Sequence, residues 1–218
     1  MGTEVDLDGH PGILMRPANA TYLLVLAHGA GAGMRHTFME TIAGALAARR
    51  VATLRWEFPY MAAGKPRPDP PAIAEAAVRA VWLAAAKLAP DLPRFAGGKS
   101  FGGRMTSRAH AAAPLAELRG IAFLGFPLHP PEKPGTERAD HLAQAAGPLL
   151  FLTGTRDELA PLPRLRPVVR KLGARAVLHV VKGADHGFDV LVRSGRKPAE
   201  VTGEIVETIV AWMATHAR

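Results

Sequence analysis

Residues 94–104 read Arg94-Phe95-Ala96-Gly97-Gly98-Lys99-Ser100-Phe101-Gly102-Gly103-Arg104, and the stretch changes character at its centre. The run 94–97 has the length and flanking glycines of a buried strand, whereas residues 103–113 are alanine-rich and read as a helix. A serine at such a corner is forced into a strained backbone conformation that pushes its hydroxyl out of the sheet. Glycines two residues before and two after it have a steric reason, because strand and helix approach so closely that a Cβ at Gly98 or Gly102 would clash. Ser100 is therefore a candidate nucleophile. The plainer role for a serine there is to cap the helix that follows.

Outward from this corner, short apolar strands alternate with amphipathic helical stretches. Strands are expected at 22–27, 51–55, 94–97, 120–125, 149–153 and 176–181, with a weaker one at 13–16. Helices are expected at 37–49, 72–87, 102–113, 138–146, 162–172 and 199–216. This is the pattern of an α/β protein with a mostly parallel central sheet of six to eight strands and helices on both faces. No linker or charge run divides the 218 residues, so a single domain over 1–218 is expected.

In an open parallel sheet the loops after the strands lie along one edge, where residues distant in sequence meet. The strand at 149–153 runs into Gly154-Thr155-Arg156-Asp157, and the one at 176–181 into Lys182-Gly183-Ala184-Asp185-His186-Gly187-Phe188. Asp157 and His186 are thus placed to join Ser100. A serine hydroxyl is a poor nucleophile until an imidazole takes its proton, and the imidazole needs a carboxylate to orient it and to stabilise its charged form. Glu158 and Asp185 are rival acids, although Asp185 adjoins His186 and adjacent loop side chains usually diverge. Near the amino end, the strand 22–27 ends in His28-Gly29-Ala30-Gly31-Ala32-Gly33. Such a loop can offer a backbone N–H to an oxyanion, the second coming from the residue after the nucleophile. Ala30 and Phe101 are the expected donors, with Gly31 as the alternative to Ala30.

Two irregular segments border the same edge. Residues 59–71 carry five prolines and one glycine and are expected to form a loop, from which Tyr60 and Met61 could touch a substrate. Residues 126–135, beginning at Phe126, stand where a lid would be inserted, but only about a dozen residues intervene before the next expected helix. A small site without a large lid follows, and Phe126 is a further candidate for substrate contact.

Composition removes several other classes. With no cysteine, the chain forms neither a disulfide nor a thiolate metal site. The nine histidines show no helical pair beside a carboxylate, so no metal is expected. Gly97-Gly98-Lys99-Ser100 imitates the end of a phosphate-binding loop, yet the position of its first glycine is Pro93. Gly29-x-Gly31 imitates a dinucleotide fingerprint, yet its third glycine position is Met34. No cofactor is expected. The net charge of +8 is spread over scattered arginines and lysines without interleaved aromatics, which argues for a solvated basic surface and against specific nucleic-acid binding. No apolar stretch approaches a membrane span, and the first residues lack a basic-then-apolar leader pattern, so no membrane partner and a cytoplasmic location are expected. Oligomeric state is not legible.

The stretches 27–31, 98–104, 154–157 and 183–188 together resemble the α/β-hydrolase superfamily, in particular its small, lidless dienelactone-hydrolase-like branch. Phe58-Pro59-Tyr60-Met61 and Phe126-Pro127-Leu128-His129-Pro130-Pro131 are similar to a bacterial group related to the testis-expressed and nonspecific-lethal-complex hydrolase-like proteins of animals. The likeness runs from about residue 13 to the end. It implies a mostly parallel sheet of up to eight strands, with Ser100 as nucleophile, His186 as base and Asp157 as orienter. The bacterial dienelactone hydrolases use cysteine where this chain has Ser100, so dienelactone itself is not implied as substrate. The expected function is a serine hydrolase cleaving a small carboxylic ester or thioester through an acyl-enzyme. Because some eukaryotic relatives act as scaffolds, the alternative is a catalytically silent binding protein.

Overall fold

A computed structural model describes residues 2–217. Its centre is one eight-stranded sheet built from β1 (Thr3–Asp6), β2 (Pro11–Met15), β3 (Tyr22–Ala27), β4 (Val51–Trp56), β5 (Arg94–Lys99), β6 (Leu118–Leu124), β7 (Leu149–Gly154) and β8 (Ala176–Val181). The order across the sheet is β1-β2-β4-β3-β5-β6-β7-β8. β1 pairs antiparallel with β2, and β2 with β4, while every later pair is parallel. The mostly parallel sheet expected from the alternating pattern is present.

The helices are α1 (Thr37–Ala47), α2 (Pro59–Ala62), α3 (Pro71–Leu88), α4 (Phe101–Ala112), α5 (Leu162–Lys171) and α6 (Pro198–His216). Alternation along the strands sorts side chains onto two faces. Leu24 and Leu26 of β3 join Ala122 and Leu124 of β6 beneath α1 and α6, with Met39, Ile42, Ile205 and Ile209 fully or almost fully buried. Leu23, Val25 and Ala27 face the other way, against Val78, Val81 and Met105 of α3 and α4. Ile121 and Phe123 continue that second face beneath α5, through Leu165 and Val169.

Three local features depart from expectation. β1 was not foreseen, because Thr3-Glu4-Val5-Asp6 is largely exposed and carries one apolar side chain. Its pairing follows from Asp8-Gly9, both at positive φ, between the mutually bonded Leu7 and His10. That is the two-residue hairpin turn for which Asp-Gly is suited. The helix expected at 138–146 is instead a 3-10 segment, Glu137–Ala143. Ala139, Leu142 and Ala145 are buried at a spacing of three, which matches the three-residue turn of a 3-10 helix better than 3.6. The segment 59–71 is not all loop, since Pro59–Ala62 forms one helical turn with Pro59 at its first position, where a missing N–H costs nothing. Among the described residues, no helix is long and apolar enough to cross a membrane.

β3, β5 and α4 meet at the tightest point of the fold. A Cβ on Gly98 would stand 2.5 Å from the nitrogen of Gly103 and 2.7 Å from the carbonyl oxygen of Ala27. Backbone cannot yield there as a side chain can. Gly203, on α6, has nothing within 4 Å of the same position. Gly98→Ala is therefore expected to cost at least the ~1–3 kcal/mol typical of overpacking, and Gly203→Ala to gain about 0.5–1 kcal/mol from helix propensity. Urea denaturation of both variants checks the contrast, and similar midpoints would contradict it.

Candidate active site

The site assembles at the carboxyl ends of the parallel strands. Ser100 links β5 to α4 with φ 49° and ψ −111°, a positive-φ conformation unfavourable for any residue other than glycine. Its hydroxyl does not cap α4. The Oγ lies 2.9 Å from Nε2 of His186, which stands in the loop after β8.

On the opposite side of the ring, His186 Nδ1 is 2.9 Å and 3.0 Å from the two carboxylate oxygens of Asp157, in the loop after β7. Asp157 is fully buried in its side chain, while His186 retains 23% exposure. A buried carboxylate must find donors. Its Oδ1 accepts the N–H groups of Leu159 (2.9 Å) and Ala160 (3.1 Å), and its Oδ2 the hydroxyl of Thr153 (3.3 Å). With Asp157 as acceptor, Nδ1 carries the imidazole proton and Nε2 is left to accept from Ser100. The rival acid Asp185 is occupied elsewhere, since its Oδ1 accepts the N–H groups of Gly187 (2.8 Å) and Asp189 (3.0 Å).

The glycine-rich loop after β3 is fastened from below. Buried His28 donates from Nδ1 to the carbonyl of Gly29 (2.7 Å) and accepts the Phe58 N–H at Nε2 (3.1 Å). Burial lowers its pKa and keeps it neutral, as that bonding pattern requires. The Tyr60 hydroxyl donates to the carbonyls of Ala30 (2.8 Å) and Gly29 (3.3 Å). Burial, with Asp69 and Glu57 nearby, raises the phenol pKa and holds the proton in place. Since a trans peptide points its N–H opposite to the preceding carbonyl, these anchors turn the N–H groups of Ala30 and Gly31 away from Tyr60. Both residues line a cavity of about 660 Å³ that also reaches Ser100 and His186. Among the described residues, no acceptor is bonded to the N–H of Ala30 or of Phe101.

The remaining walls of that cavity are largely apolar, with Phe38 and Met39 from α1, Val201 and Ile205 from α6, and Phe188 beside His186. Lys99 also lines it. Tyr60, Met61 and Phe126 do not. Tyr60 is 1% exposed, stacked on Phe58, tilted against His28 and edge-on to Phe101, and so has no surface to offer a substrate. Met61 packs beside it against the same core. Phe126, also 1% exposed, turns inward against Phe123 and Phe151. None of the three therefore lines the cavity: Tyr60 and Phe126 are drawn into the core, and half-buried Met61 packs against it. The functions of His28 and Tyr60 as anchors were missed, although a histidine and a tyrosine in otherwise apolar surroundings signal buried hydrogen bonding. Among the described residues, no group of three or more His, Asp or Glu is placed to hold a metal.

The family model of the alpha/beta hydrolase domain matches residues 20–214. The chain belongs to the alpha/beta hydrolase family. Solved structures of similar shape agree in fold. A dienelactone hydrolase from Anabaena variabilis superposes with a TM-score of 0.78 at 18% identity, over 100% of this chain and 98% of that one. An alpha-beta serine hydrolase homologue from Coxiella burnetii gives 0.73 at 20% identity, over 95% and 96%. A serine hydrolase without lid from Xanthomonas campestris gives 0.71 at 18% identity, over 97% and 94%. This alpha/beta hydrolase likewise has no large lid, only residues 125–136 standing between β6 and the 3-10 turn at Glu137–Ala143.

Removing the Tyr60 hydroxyl leaves the part-buried Ala30 carbonyl without its donor, while the Gly29 carbonyl keeps His28. Tyr60→Phe is expected to lose about 1–3 kcal/mol of stability, read as a lower denaturation midpoint at unchanged slope. No change in midpoint would mean that the hydroxyl does not anchor the loop.

Proposed function

We propose that this alpha/beta hydrolase is a serine hydrolase that cleaves a carboxylic ester or thioester of a small acid through an acyl-enzyme. The observation that carries the reading is the continuous chain of bonds from Ser100 through His186 to Asp157, open to the cavity at its serine end. Ser100 Oγ attacks the carbonyl carbon while His186 Nε2 takes its proton, and Asp157 stabilises the imidazolium. The N–H groups of Ala30 and Phe101 receive the oxyanion, whose charge is stabilised by donors already in place. His186 then protonates the leaving alcohol or thiol as the tetrahedral intermediate collapses to the acyl-enzyme. Water, deprotonated by the same nitrogen, attacks the acyl carbon, and Ser100 recovers its proton as the acid departs.

The walls formed by Phe38, Phe188, Val201 and Ile205 support an apolar or aromatic acyl group in the cavity. Each methylene transferred to such a surface is worth about 0.8 kcal/mol. In a series of p-nitrophenyl esters, kcat/KM is expected to rise up to about fourfold per added carbon until the cavity is filled. Phe188→Ala flattens that series.

Ser100→Ala is expected to abolish both turnover of these esters and labelling by a fluorophosphonate, with the fold retained. Labelling that survives the substitution would refute Ser100 as nucleophile. Activity falls on the acid side, where a protonated His186 can no longer accept from Ser100, and a flat acid limb would contradict its role as base.

A further inference from the structure

Lys99 stands between the second glycine of the elbow and Ser100, and the chemistry above leaves it unused. Its ammonium is turned inward, where it donates to the main-chain carbonyl of His186. It lies 5.6 Å from the ring centroid of Phe188 and 5.9 Å from that of Phe38. Those two rings stack on each other at 5.8 Å with planes 11° apart, joining α1 to the histidine loop. Two glycines make space for the lysine. A Cβ on Gly29 would be 3.4 Å from Lys99 Cγ, and a Cβ on Gly125 would be 3.3 Å from Lys99 Nζ and equally close to the His186 ring. One side chain therefore runs from the nucleophile elbow, past the Ala30 loop, to the backbone that carries the base.

The histidine loop is braced within itself but held to the elbow by little else. Asp185 caps it through Gly187 and Asp189, and Phe188 sits at φ 69°, a strained conformation for an aromatic residue. Among the described residues, the hydrogen bonds between this loop and the elbow are those of the His186 ring to Ser100 and of Lys99 to the His186 carbonyl. The first must break and reform in every turnover. The second need not.

Resting on the reading of Ser100 and His186 given above, we propose that Lys99 is a positioning residue, whose ammonium, seated over Phe38 and Phe188, holds the His186 backbone so that the imidazole stays between Ser100 and Asp157. The charges of Asp157, Asp185 and Asp189 act on the ammonium from the same region. Burial pulls its pKa down from 10.5 to about 8, and those carboxylates oppose the fall. A neutral amine can still donate to a carbonyl but loses its attraction to the rings and carboxylates, so the hold weakens as pH rises through that value.

Lys99→Met keeps the stem and removes the charge. With short p-nitrophenyl esters, kcat is expected to fall at least tenfold with KM changed less than threefold, and the decline of kcat above about pH 8 in the native protein is expected to vanish. Because the chain has no cysteine, Lys99→Cys can be alkylated at that one thiol. Aminoethylation restores the ammonium and is expected to restore most of kcat, whereas hydroxyethylation, of similar size and neutral, does not. This pair also serves if the methionine variant folds poorly. A kcat within twofold of native in Lys99→Met, or equal rescue by both adducts, overturns the proposal. Native protein inactive on all esters and unlabelled by fluorophosphonate would instead sink the hydrolase reading. The positioning claim then stands on the low-field NMR proton of His186 Nδ1, expected to be sharp in the native protein and broadened in Lys99→Met; an unchanged signal overturns it.

Discussion

The turn from β5 into α4 is the constraint on which the rest of the site depends. It brings a helix so close to β3 and β5 that Gly98 and Gly102 have no room for a Cβ, and it holds Ser100 at positive φ. Strain of this kind costs of order 1–3 kcal/mol and persists only where the surroundings over-determine it. Here the surroundings are backbone: the Ser100 N–H donates to the Leu124 carbonyl (3.1 Å), and its own carbonyl accepts the Arg104 N–H (3.1 Å). The serine is thereby presented above the sheet while its main chain stays within the hydrogen-bonded framework.

Around that fixed point, three loops from separate strands are each oriented by buried polar contacts. Asp157 is held by its own loop's N–H groups and by Thr153, which makes a carboxylate without solvent tolerable and aims it at His186. The glycine loop after β3 is flexible by composition, but His28 and Tyr60 bind its carbonyls from the core side and leave its N–H groups toward the cavity. Lys99 connects the third loop to the elbow. In the first two cases the group facing the cavity is oriented by another group on the core side, and in the third by a side chain of the cavity wall. Such networks are stabilising when every member is satisfied and costly when one partner is removed.

The strand at β5, the helix after it and the meeting of Ser100, Asp157 and His186 at one edge were legible because their signals are local: an apolar run, a glycine pair and a polar residue just past a strand end. The Asp8-Gly9 turn signal is equally local, but the β1 strand it pairs is too weakly apolar to read as a strand. Other features were not local. Whether residues 137–143 wind as α or 3-10 depends on the spacing of contacts made by Ala139 and Leu142 with the neighbouring layer. Tyr60, Met61 and Phe126 follow strand ends, as site residues do, and only packing shows that their side chains turn inward, where burial of large apolar groups is favourable.

By itself, the sequence determined the alternation that makes a parallel sheet, the steric necessity of a strained serine, and the placement of Ser100, Asp157 and His186 just past strand ends, because periodicity and glycine placement act over a few residues. Tertiary structure decided what those residues touch. It selected Asp157 over Asp185, assigned Tyr60 to the floor of the glycine loop, and directed the Lys99 ammonium to the His186 carbonyl. Those choices depend on hydrogen-bond geometry between segments up to 87 residues apart, which no local pattern encodes.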